Sequence, residues 1–93
     1  MFYPVPFRTA VVEISTTVVQ LPDMPSGKMI LIKADLNNSG VVWLSSNSNV
    51  NSSNPDGIPL SNSEWIYMPV NNANKIYAVS DKEDQKIYIA VGP

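Results

Sequence analysis

The sequence predicts an all-β domain: a single antiparallel β-sandwich or small jelly roll with an extended N-terminal arm. Three observations lead there. Seven runs of apolar and β-branched residues are separated by Pro, Gly, Asn and Ser, the rhythm of short strands and turns. No segment carries the apolar periodicity of an amphipathic helix. The chain has 93 residues, the size of one sandwich of about 100 residues. Residues 1–8 are assigned to the arm and 9–93 to the sandwich domain.

Within the arm, Pro4 and Pro6 exclude helix and bias the residues before them to extended backbone. Phe2, Tyr3, Val5 and Phe7 place four large apolar groups there. Two readings stand side by side. Either the aromatics fold back on the domain's own core as a first strand, or the arm docks on a neighbouring subunit.

Residues 8–15 and 16–21 are rich in Val, Ile and Thr, whose branching at Cβ favours strands. A loop with Pro22, Pro25 and Gly27 then breaks the chain. The next strand, 28–36, contains Met29, Ile30, Leu31 and Ile32 in succession. Such a run implies burial on both faces, so this strand is central or covered by a partner. Asn37, Asn38, Ser39 and Gly40 form a turn that accepts positive φ, and residues 41–44 return as the second strand of a hairpin.

Residues 45–57 are polar except for Val50. They read as a solvated connection pinned to the core by Val50, with an adhesive or glycan-contacting loop as the alternative. Asn37 and Asn51 head N-x-Ser sequons, read as coincidental without a secretion signal. Ile58, Pro59 and Leu60 suit an edge strand. Residues 64–70 form a strand ended or bulged at Pro69, and 71–74 the following turn. Residues 75–80 and 85–91 close the domain as a hairpin across Asp81, Lys82, Glu83 and Asp84, with a Lys at the start of each strand.

The chain has no His and no Cys, so the residues behind most acid–base, nucleophilic and transition-metal chemistry are missing. No G-x-S-x-G stands in the sequence, and most carboxylates (Asp23, Asp56, Asp81, Glu83, Asp84) lie in turns. The expectation is a protein that is not an enzyme, with no catalytic residue and no cofactor. Calcium is the one metal the oxygen ligands of Asp81, Glu83 and Asp84 would suit, but their spacing matches no EF-hand loop and no metal site is assigned. Six Lys and Arg against eight Asp and Glu give a net charge of −2, and the basic residues are scattered, which argues against nucleic acid. The longest apolar runs are too short to span a bilayer, and the N-terminus lacks the basic and apolar regions of a signal peptide. The absence of Cys fits synthesis in the cytoplasm. Charged residues make up 15% of the chain, below the usual ~25%. So weakly charged a surface suits a protein that works in contact with neighbours.

Strand alternation puts Trp65 and Tyr67 on one face, Ile66 and Met68 on the other. One of these faces is core. The other, if dry, needs another protein to cover it. With Trp43 and the arm residues Phe2, Tyr3, Val5 and Phe7, these two aromatics form the candidate interface.

The succession of Val19-Gln20-Leu21-Pro22, Lys28 to Ala34, Gly57-Ile58-Pro59-Leu60, Glu64 to Val70 and Lys75 to Val79 resembles small β-sandwich decoration (cement) proteins of tailed-phage capsids. The likeness covers residues 16–91 and is one of rhythm, without a diagnostic motif. It implies a non-enzymatic virion protein made in the host cytoplasm, which binds the major capsid protein on the outside of the head as a homotrimer. An N-terminal arm reaching to the shell or a neighbour would correspond to Phe2 to Phe7. The alternative is a carbohydrate-binding or receptor-binding module at a head fibre or tail tip, using Trp43 or Trp65 as a stacking platform or the 45–54 loop as the contact.

Overall fold

A computed structural model describes residues 7–27, 29–51, 53 and 56–92. Eight strands run in the order β1 (Arg8–Ile14), β2 (Val19–Gln20), β3 (Ile30–Ala34), β4 (Val42–Ser45), β5 (Ile58–Leu60), β6 (Trp65–Met68), β7 (Tyr77–Ser80) and β8 (Gln85–Val91). One turn of 3-10 helix, Ala73–Lys75, interrupts the segment read as a turn. The strands form two four-stranded antiparallel sheets, β1-β8-β3-β6 and β2-β7-β4-β5, packed as a sandwich. The all-β fold is as the sequence predicts.

Strict alternation builds the core. From the first sheet, Ile14, Ile30, Ile32, Ala34, Ile87, Ile89 and Val91 point inward; Val42, Leu44, Leu60 and Ala78 meet them from the second. Leu21, Met24, Ala73 and Ile76 close one end. The residues between them on each strand point away, which is why β8 reads buried, exposed, buried, exposed from Gln85 to Tyr88.

Both expected hairpins are overturned. β3 and β4 lie in different sheets, as do β7 and β8. The physical reason sits at the corner where the two connections meet. The Asn38 side chain donates to Lys86 O and accepts from Lys86 N, both at 2.8 Å, filling the place of a strand residue beside β8. The chain is thereby carried past β8 before crossing to the second sheet. Gln85 Oε1 then accepts from Gly40 N at 2.8 Å, and Asp81 Oδ1 accepts from Val41 N at 2.9 Å, so the two crossings are stitched together. Positive φ is absent from Asn37, Asn38, Ser39 and Gly40; among the described residues it occurs at Ser63 and Asp84. Gly40 is favoured instead by crowding, since a Cβ there would lie 2.5 Å from Asp81 Oδ1 and push that carboxylate off Val41 N.

Other expectations meet the structure more directly. β3 is central in its sheet. β5, with Pro59, is an edge strand, and β6 ends before Pro69, where Val70 N turns back to Met68 O. The 16–21 strand shrinks to the two residues of β2. Arg8, placed in the arm, pairs with Val91 as the first residue of β1. Residues 1–6 lie outside the described residues.

Candidate functional site: the outer face of the first sheet

The two sheets differ in how their outer faces are finished. On the second sheet, Trp43 stands opposite Val79, on the side away from the core. Val79 has no exposed surface and Val50, in the loop after β4, is buried outside the main core. The loop itself is held by side chains of Ser45, Asn47 and Asn51 that each accept from the backbone N–H two residues on. Gly57 returns so close to Leu44 O that no Cβ would fit between them. This side is dressed by its own chain.

The first sheet has no such covering among its described residues. Its outward positions form two rows across four strands. One row runs Val11, Tyr88, Lys33, Trp65, and the next Thr9, Ala90, Leu31, Tyr67. Trp65 is 57% exposed, Tyr67 52% and Tyr88 42%; Val11 and Met29 are exposed as well. The Trp65 and Tyr67 rings meet edge to face, with centroids 5.4 Å apart and planes at 83°. Two shallow depressions of about 240 and 280 Å³ share Leu31 and Lys33, the first bounded by Trp65 and Tyr67, the second by Tyr88, Ala90 and Thr9. Lys33 is the central charge of the face, and Glu13 faces Lys86 across β1 and β8 at one end.

Of the seven sequence-predicted interface residues, Trp65 and Tyr67 come together on this face. Trp43 is half-buried on the opposite sheet and belongs to a different surface. Phe7 is exposed immediately before β1. Phe2, Tyr3 and Val5 lie outside the described residues. Sequence reasoning did not single out Tyr88, Leu31, Lys33 and Val11 as parts of the surface. The alternation of 85–91 contained the signal for Tyr88; the neighbourhood of β1, β8, β3 and β6 required the topology.

Among the described residues no group of three or more acidic side chains gathers to hold a metal ion. Asp81, weighed for calcium, uses Oδ1 to cap Val41 N. Compared with known proteins, the chain matches no family model, no curated protein and no solved structure.

Proposed function

We propose that the chain is a non-enzymatic structural protein that docks on another protein through the outer face of its first sheet, and that this partner is the major capsid protein on the outside of a tailed-phage head. One observation carries the docking part: exposed Trp65, Tyr67, Tyr88 and Val11 stand with half-buried Leu31 in two adjoining rows on the outer face of one sheet. Interfaces draw much of their energy from clustered Trp and Tyr, and Lys33, between Tyr88 and Trp65, is the one charged residue in the two rows. The phage head as the site of action and synthesis in the host cytoplasm rest on the resemblance of the strand succession to decoration proteins; the homotrimer that the same resemblance implies is the rival of the two-copy assembly argued below, and the solution mass decides between them.

The face fits protein better than glycan. A sugar lies flat on an aromatic ring while its hydroxyls need polar partners around the rim. Here two rings stand perpendicular, and the side chains that share their depression are Leu31 and a single polar one, Lys33.

Co-sedimentation with capsid shells stripped of the protein tests the reading. The wild-type chain should pellet with shells, and a Trp65→Ala, Tyr67→Ala double variant of unchanged fold should bind tenfold or more weakly, about 1.4 kcal/mol or more at two hot-spot positions. Equal binding by the variant, or no binding by the wild type, overturns it. Retention on a glycan array, lost in the same variant, would establish the carbohydrate module instead.

A further inference from the structure

β1 is a free edge of a different kind from the other three. β2 has two residues, β5 carries Pro59, and β6 has four residues and stops at Pro69. Each is short or blocked, the usual protections of a sheet edge. β1 runs seven residues without Pro, and among the described residues no strand pairs with its outer side.

The direction of its peptide groups follows from hydrogen bonds at β8. Asp35 N donates to Lys86 O, Gly27 N donates to Gly92 O, and Asn38 bonds both polar groups of Lys86. The even-numbered residues of β8 therefore face β3, and Gln85, Ile87, Ile89 and Val91 face β1. Their partners Ile14, Val12, Ala10 and Arg8 face back. The N–H and C=O groups of Thr9, Val11 and Glu13 are left pointing off the sheet.

We propose that β1 pairs antiparallel with β1 of a second copy, joining two first sheets into one of eight strands. With Val11 opposite the second copy's Val11, Thr9 meets Glu13, Ala10 meets Val12 and Arg8 meets Ile14. Only odd residues then exchange hydrogen bonds, the two outer faces stay on one side, and no like charges oppose. β-Branched side chains meet at the centre, a favoured cross-strand pair. Such a contact is isologous and closes at two copies. It makes the rows from Trp65 to Val11 continuous across both copies and does not depend on what that face binds.

Light scattering on the full chain over a range of concentrations tests this, with Val11→Lys and Val11→Pro. The wild type should approach twice the 10.2 kDa chain mass. Val11→Lys should hold the single mass by opposing two ammonium groups. Val11→Pro removes a donor that points away from β8, so it too should be a folded monomer by far-UV circular dichroism; should it misfold, Val11→Lys carries the test. Amide exchange at Thr9, Val11 and Glu13 should be slow in the wild type and fast in Val11→Lys. The Trp65→Ala, Tyr67→Ala variant should keep the double mass, so this proposal and the docking reading fail separately. A monomeric wild type, a trimer, or a double mass that persists in Val11→Lys overturns the proposal.

Discussion

Gln85 shows what single polar residues do in this domain. It is 2% exposed, its Oε1 accepts from Gly40 N, and its Nε2 donates to Glu83 O. Asn38 completes the ladder beside Lys86, and Asn72 Oδ1 accepts from both Met24 N and Asn74 N. A leucine at Gln85 would leave the Gly40 N–H buried without a partner, and Gln85→Leu should cost about 1–3 kcal/mol, read as a lower urea midpoint. Asn38→Asp removes the donor to Lys86 O and brings a carboxylate against that carbonyl, so its loss should be of similar size. Amide and hydroxyl side chains are plentiful in this weakly charged chain, and such side chains ordinarily serve as surface polarity. That holds for Asn47 and Asn49, which are exposed. It fails for Asn38, Gln85 and Ser80, because the partner of each lies some 40 residues away or more and no local pattern names it.

At the scale of strands, the alternation of β6 makes a direct comparison available. Ile66 is half-buried against the core, whereas its neighbour Trp65 faces outward. Ile66→Ala should lose about 1–2 kcal/mol, a partial share of a full core truncation, while Trp65→Ala should stay within about 0.5 kcal/mol of wild type. Urea unfolding of the two variants checks both figures, and a large loss in Trp65→Ala would mean that the ring supports the fold. The strands themselves were legible, since β-branched runs and Pro or Gly breaks are local signals. Their pairing was not. The turns at 37–40 and 81–84 specify a change of direction, and a reversing chain can re-enter its own sheet or cross to the opposite one with the same turn chemistry. Side chains from the other connection decide, through Gly40–Gln85 and Val41–Asp81. For the same reason β3 was placed at the centre of a sheet, yet the outward side of its apolar run, Met29 and Leu31, became surface.

Over the whole molecule, the two outer faces are unequal in chemistry: one carries Trp65, Tyr67 and Tyr88, the other a web of Asn and Ser turns. With 15% charged residues, little else opposes association. Replacing Trp65, Tyr67 and Tyr88 by Ser should raise solubility and abolish binding of an apolar dye, with the thermal midpoint changed by less than about 4 °C. Trp65 and Tyr67 were nameable from the sequence because alternation marks them as a pair. Trp43 was grouped with them by residue type alone, and the sheet assignment of β4 separates them.

The stitched corner also sets the pace at which the native state is reached. Among the described residues, β4 and β5 are the one pair of consecutive strands that share a sheet. Every other ladder must wait until distant parts of the chain meet, and β8 cannot be seated between β1 and β3 before 70 or so residues have been gathered. Refolding should therefore occupy roughly milliseconds to seconds, the range of sandwiches rich in distant contacts, as stopped-flow tryptophan fluorescence can measure. Throughout that interval the last strand to be inserted leaves two ladders open, and newly made chains at high concentration have their greatest opportunity to join the wrong neighbour.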